Sequence, residues 1–483
     1  MKKFKYRNLL LNIITVCTAM VMLCWLAFHN RYPLVFNADT AMYIEAARSG
    51  IVGNDRPILY GLFMIFGDWK HSAWLVISIQ SFIVSLLFFY CFKYFTPSHL
   101  SNSLKLRVTY LMFITLISFG MGASFTVCWL ISDVFTPVTI MSIGLLLFAS
   151  HITKIDKIVI SLIAIIGTGM HNSNFFIALG TLLVLIIILF NKQVRKIYTK
   201  IGLNNGRFAY LIILLIISNL LVRSIHYHYR GGFQSSRGGV FFFMGSLVEM
   251  GIIDTYLGEN CGVKNYRICK MRDTIPNNFV WDTRSPFQRT GGWYSKTNES
   301  EYTSIIKDIV TTPRYAKTVL IKSSLNTLKQ FFYYDTGEAY RPWDRVNSAI
   351  YDAFPNEYLS YLESKQSKGQ LDFTLINFLQ KVVFGLCLFV YAIVFSKGKR
   401  NMPIVALTVF IILSLIINAW LCGTFSGVYP RYQSRVVWLM PLPIFLFILN
   451  PRNLESILLG GSSFSMRPNK TNTSKINQLK KTN

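Results

Sequence analysis

The sequence predicts an all-α polytopic membrane protein, and three observations carry that reading. Apolar residues make up 52% of the 483 residues and charged residues only 15%, with a mean hydropathy of +0.40, which is too apolar for a water-soluble chain of several domains. Ten apolar stretches approach the roughly 20 residues that a helix needs to cross about 30 Å of hydrocarbon. Lys and Arg gather in alternate segments between those stretches, as they do in loops retained in the cytoplasm.

Taken in order, residues 9–28 form the first span, preceded by Lys2, Lys3, Lys5 and Arg7. No small-residue cleavage site follows in Trp25-Leu-Ala-Phe-His29, so this span reads as an uncleaved anchor with its N-terminus in the cytoplasm. Further spans are expected at about 71–92, 108–128, 134–150, 158–170, 174–190, 208–224, 373–395, 403–422 and 435–450, the fifth of the ten being short. Segments 1–7, 93–107, 151–157, 191–207, 396–402 and 451–483 then lie inside. They hold 23 Lys plus Arg against Asp156 and Glu455, whereas the outside loop 31–70 balances four basic against four acidic residues. Basic residues spread over six segments facing anionic headgroups account for most of the net charge of +27. They make no single basic face, which argues against nucleic acid as a partner.

The chain divides accordingly into an N-terminal bundle over 1–224 with its outside loop 31–70, a hydrophilic insertion over 225–372, further spans over 373–450, and a basic cytoplasmic tail over 451–483. In a bacterial inner membrane the insertion is periplasmic. At 148 residues it is too long for a structureless loop, so it is expected to fold as an α-rich domain with helices over 299–332 and 347–364. Its opening, Arg230-Gly-Gly-Phe-Gln-Ser-Ser-Arg237-Gly-Gly239, reads first as a linker and second as a loop whose amides and arginines close on a phosphate. Trp281, Trp293, Tyr294, Phe331, Phe332, Tyr333 and Tyr334 suit sugar stacking and interfacial anchoring equally. Cys261 and Cys269, the two of eight cysteines in this domain, sit eight positions apart in a turn-rich stretch, and in an oxidising compartment they are expected to be bridged. CxxC, HExxH, Walker, GxGxxG and GxSxG patterns are missing and the seven histidines lack ligand spacing, so the sequence supports neither a structural zinc site nor nucleotide-driven chemistry.

Charge collects instead where the spans reach the outside. The stretch 36–60 carries Asp39, Glu45, Asp55 and Arg56; Asp133 follows the third span, His171 and Asn172 the fifth, and Arg431 and Arg435 stand between the ninth and tenth. Each has an ordinary role open to it: Asp39 and Asp133 as helix caps, His171 as a span end, the arginines snorkelling among headgroups. Together they put acids, a histidine and paired arginines on one surface, while the spans themselves keep Lys381, and Arg223 at an end.

Asp39 in Asn37-Ala-Asp39-Thr-Ala-Met-Tyr43, then Arg56-Pro-Ile-Leu-Tyr60 and a second span, resembles the GT-C class of polyprenyl-phosphate-sugar glycosyltransferases. The similarity is strongest over residues 1–95, weaker at Ser132-Asp133, and elsewhere rests on topology. Size and two outside regions also look like the phage-type serotype-converting glucosyltransferases that decorate the O-antigen of lipopolysaccharide. The resemblance implies a hexose such as glucose passing from an undecaprenyl-phosphate donor to a glycan acceptor in the periplasm, with a donor synthase and a flippase as partners in the membrane. Asp39 is then the catalytic residue, with Asp133 or Asp55 as a second acid. Arg56, Arg431 and Arg435 bind the donor phosphate, as arginine does bidentately, and Tyr43, Tyr60 and His171 bind substrate. Asn37 stands where the family often carries the first acid of a pair, which leaves a divalent cation unassigned as a cofactor. A lipid phosphate is already a good leaving group, so one carboxylate acting as general base suffices, at about a hundred- to ten-thousand-fold in rate. A lipid-linked glycan flippase or transporter, and an O-antigen polymerase or ligase, are the rival readings. Transporters show broken helices, intramembrane charges or matching halves, of which the sequence offers Lys381 alone.

Overall fold

The structure, a computed structural model, describes residues 2–338, 344–396 and 401–450; most of the expected loop 396–402 and the expected cytoplasmic tail at 451–483 lie outside the described residues. The regular elements among the described residues are helical. A single parallel bridge, between Leu34 and Trp129, is the one strand-like pairing there.

Among the described residues, five helices are long and apolar enough to cross a bilayer: Tyr6–Leu23, Ala73–Phe95, Asn205–His228, Thr374–Phe395 and Met402–Phe425. Counting each of two bent pairs as one span brings the number to seven: Lys154–Gly169 with Asn172–Ile188 at 118°, and Gly239–Glu249 with Ile252–Asn260 at 91°. Exposed apolar residues recur at helical spacing, as in Ile213, Ile216, Ile217 and Leu220, and in Leu375, Phe378, Val382, Leu386 and Phe389. Such stripes turned away from the protein mark a membrane-embedded helical chain.

The ten expected spans are not all present as membrane-length helices, and the reasons are local. The stretch expected at 108–128 ends as Leu104–Gly120, because Gly122 turns left-handed (φ +69°) before the short helix Ala123–Val127. Phe135–Phe148 has 14 residues, all of them buried, so at about 21 Å it is a core helix inside the bundle. In place of a span at 435–450 stand Pro430–Val437 and Leu442–Ile448, since Pro441 and Pro443 bring no N–H to a helical ladder.

The insertion has its own small core, built on Phe241, Met244, Leu247, Tyr256, Phe287, Tyr302 and Ile305. The bent pair Gly239–Glu249 and Ile252–Asn260 turns its apolar side chains into that core. The helix expected over 299–332 is two, Lys296–Thr311 and Pro313–Phe332, broken where Pro313 disfavours helical backbone at Thr312. That expected over 347–364 begins earlier, as Asp344–Ala353, and resumes as Tyr358–Leu362. Cys261 and Cys269 are joined by a disulfide. Pro313–Phe332 lies along Met402–Phe425: the Asn326 amide donates to the Gly423 carbonyl at 3.1 Å, and Gln330 holds the Tyr429 backbone through both its N–H (2.9 Å) and its carbonyl (2.8 Å). This clasp sets where the helix bearing Arg431 and Arg435 begins.

Candidate functional site

The site is assembled by fastening the first outside loop to the turn after the Ala123–Val127 helix. The Leu34 N–H donates to the Cys128 carbonyl and the Leu130 N–H to the Leu34 carbonyl, both at 2.9 Å, and the Trp129 indole donates to the Val35 carbonyl at 3.1 Å. Thr40 then accepts the Phe36 N–H at 2.7 Å and donates to the Leu130 carbonyl at 3.1 Å. The first turn of the helix Asn37–Ser49, with Asp39 in it, is thereby set beside the turn Ser132–Val134, which carries Asp133. Glycine at 61 lets the helix Leu59–Lys70 lie close against Asn37–Ser49, since a Cβ there would sit 2.6 Å from that of Ala46. The Tyr43 and Tyr60 rings consequently meet edge to face at 4.6 Å.

Asp39 lies between two guanidiniums. Its Oδ1 accepts from Arg56 Nη2 at 3.0 Å and its Oδ2 from Arg431 Nη1 at 3.3 Å. Arg56 also pairs with Asp55 and lies 5.2 Å over the Tyr43 ring; Arg431 lies 4.3 Å over Phe36. Burial alone pushes the Asp39 carboxyl up, but the two arginines outweigh it and hold the group below its usual range. A short step away, Arg435 donates to Asp133 at 2.7 Å, to Asn418 at 2.9 Å and to Ser173 at 3.2 Å. The Tyr43 hydroxyl meets Ser132 at 2.9 Å, joining the two halves.

Most of the residues expected at a site from the sequence therefore converge, in two grades of access. Asp39 keeps 18% of its side-chain exposure, while Asp133 keeps 4% and Arg435 1%, so solvent reaches the first and scarcely the other two. The Tyr60 hydroxyl is committed inward, to Gln80 at 2.6 Å. His171 caps the Asn172–Ile188 helix, its Nδ1 accepting the Ser173 N–H at 3.1 Å, and so shares Ser173 with Arg435. Glu45 turns aside to Arg345, at 2.6 Å, and the Cys261–Cys269 bridge belongs to the insertion.

Glu338 was not visible from the sequence. Its carboxylate accepts the Arg431 N–H at 3.3 Å from 93 residues away, and no motif surrounds it. Burial raises its pKa against the pull of Arg431, so the cluster holds one carboxyl shifted below its ordinary range and another shifted above it. Among the described residues no three His, Cys, Asp or Glu side chains gather to hold a metal ion. What the arrangement offers chemically is a reachable carboxylate flanked by two anion-binding forks at the edge of an apolar bundle. Compared with known proteins, the chain matches no family model, no curated protein and no solved structure at a significant level.

Proposed function

We propose that this chain is a membrane glycosyltransferase of the GT-C kind, which moves a hexose from an undecaprenyl-phosphate donor to a glycan such as O-antigen on the periplasmic face of the bacterial inner membrane. The observation that carries the reading is the partly exposed Asp39 carboxylate between Arg56 and Arg431. In the reaction, the acceptor oxygen bonds to the anomeric carbon while Asp39 takes its proton. The bond from that carbon to the phosphate oxygen breaks, and its electron pair leaves on the lipid phosphate. Arg56 and Arg431 stand where that negative charge grows, and preorganised cations are worth most in such a place. Asp55 shares Arg56 with Asp39.

The test is Asp39→Asn, with surface polysaccharide read by mass spectrometry in cells expressing each variant. Hexose addition is expected to fall about a hundredfold or more while the protein still accumulates in the membrane. Near-normal addition by Asp39→Asn, Asp55→Asn and Asp133→Asn alike would end the transferase reading.

A lipid-linked glycan flippase or transporter is the second reading. The 118° break at His171 and Arg223, a cation near the end of a span-length helix, favour it, since transporters bind at broken helices and buried charges. A transferase works on solubilised donor and acceptor in detergent, whereas a flippase needs a sealed bilayer. A polymerase or ligase would add whole repeat blocks where a hexosyltransferase adds one sugar.

A further inference from the structure

A cleft of about 220 Å³ opens behind the acid–arginine cluster, between the break at His171 and Asn172 and the last turns of the Asn205–His228 helix. One end of it is walled by Pro57 and His171. Pro57 directly follows Arg56, and His171 shares Ser173 with Arg435, so cleft and cluster have a common wall. The buried His226 fixes that wall by accepting the Ile58 N–H at 2.9 Å. Its apolar lining includes Phe175, Phe176 and Val222, of which Phe176 is exposed by 53% and faces outward.

Arg223 lines the cleft. It is only partly exposed, and its Nε is buried without a hydrogen-bond partner. Among the described residues its guanidinium has the Phe233 ring at 6.0 Å and no carboxylate. A guanidinium brings five N–H donors and a fixed charge, and such a group held among apolar helices without a counter-charge is costly. Arg56, Arg431 and Arg435, the arginines expected to hold phosphate, each grip a carboxylate already. Asn219 and Asn172 add amides to the cleft. Over it lies the glycine-rich loop, tied to one wall by Asn172 donating to Ser236 at 2.6 Å and to the first outside loop by the Arg237 N–H donating to the Asn54 carbonyl at 2.8 Å.

We infer that the Arg223 cleft is an entry site for a phosphate-bearing lipid, whose head pairs with Arg223 and whose apolar chain lies against Phe175 and Phe176. A cation and an outward-facing aromatic ring in the lining of one cleft fit an anionic head on a long hydrocarbon tail. Calling that lipid the sugar donor rests on the transferase reading; the binding itself does not.

The test uses the full chain in phosphatidylcholine nanodiscs doped with undecaprenyl phosphate, with bound lipid counted by native mass spectrometry. Undecaprenol, which lacks the phosphate, and inorganic phosphate are the comparison probes. Undecaprenyl phosphate is expected to bind, Arg223→Gln to weaken it by about tenfold or more, as loss of charge-assisted hydrogen bonds does, and Arg223→Lys to restore part of it. Equal binding to the parent and Arg223→Gln overturns the inference, and undecaprenol binding as tightly as its phosphate does the same. Inorganic phosphate competing at the concentration of the lipid would make this a site for free phosphate and overturn the lipid assignment. If Arg223→Gln fails to accumulate, Asn219→Phe, which fills the cleft without touching the charge, carries the same comparison. Sugar transfer is measured separately. Arg223-dependent binding without transfer ends the transferase reading alone, and transfer with an unchanged donor KM in Arg223→Gln ends the cleft assignment alone.

Discussion

Asp39 and Asp133 both face arginine, and access to water separates what they do. The Asp133–Arg435 pair is sealed, at 4 and 1% exposure, so removing one partner strands a charge in the interior, which costs about 3–5 kcal/mol. Arg435→Met is therefore expected to lower the unfolding temperature of the solubilised protein sharply, whereas Arg431→Met, at a partly open contact of 16 and 18%, should spare stability and impair use of the donor. Equal melting of the two variants would remove the distinction. Asp39 and Glu338 differ in a second way. With its folded pKa below the unfolded value, Asp39 contributes stability above the unfolded pKa, and loses it as pH falls through the lowered folded pKa. Glu338 has the opposite sign: its raised folded pKa favours the fold below the unfolded value, and that contribution fades as pH rises through the folded one. Of the two, Glu338 is the carboxyl shifted above its ordinary range and Asp39 the one shifted below it. The acid limb of the kcat/KM profile is expected to move to lower pH in Glu338→Gln, and a limb that stays in place takes Glu338 out of the reaction. Asp39, Arg56 and Arg431 were each legible in the sequence because they stand in short polar islands between apolar runs. Their pairing was not, since 392 residues separate Arg431 from Asp39 and 302 separate Arg435 from Asp133. Glu338 had no island of its own.

Helices that look alike in hydropathy are told apart by what they touch. Phe135–Phe148 and Asn205–His228 both read as spans, yet the first is buried over its whole length and the second carries an exposed apolar stripe. Periodicity reports that a segment is apolar and not whether lipid or protein covers it. This is why ten were expected where the described residues hold five membrane-length helices, or up to seven spans with the bent pairs. The breaks were hard to read for the same reason. Gly169 ends one helix where a Cβ would lie 2.7 Å from Val222 and 2.9 Å from Leu59, and Asn174 then bonds back to the Gly167 carbonyl at 2.8 Å and to Thr136 at 2.7 Å, so the turn is held by contacts distant in sequence. Gly61 offers a direct test of such packing. Gly61→Ala pushes a methyl against Ala46 and is expected to destabilise by about 1–3 kcal/mol, as overpacking does. Ala46→Gly in the same chain should recover part of the loss, read as the unfolding temperature in detergent. Absence of that recovery would mean that the two helices are not in contact there.

Two polar faces emerge from the whole molecule without counting spans. At one end Asp39, Asp133, Glu338 and Arg431 meet, so the segments carrying them reach the same side of the bundle. At the other end Arg107 donates to Asn12 at 3.0 Å and to Asn8 at 3.3 Å, Lys93 pairs with Asp156 at 2.7 Å, and Arg207 reaches the Ala149 carbonyl at 3.2 Å. These contacts tie together the segments around 8–12, 93–107, 149–156 and 207, most of them the basic stretches that the sequence assigns to the inside. Partly buried polar contacts thus sort the loops into the same two sets as charge does, by an independent route. On charge, the second set is the one expected to be cytoplasmic, because basic loops are retained there. Reporter fusions after Arg107 and Arg207 are expected to behave as cytoplasmic, and fusions after Asp68, Gly292 and Gly427 as external. An external signal at Arg207 together with a cytoplasmic one at Asp68 would invert the molecule, placing Asp39 where no periplasmic glycan could reach it. An external signal at Arg207 alone would break the contact between that residue and Ala149, and with it the sorting of the two faces.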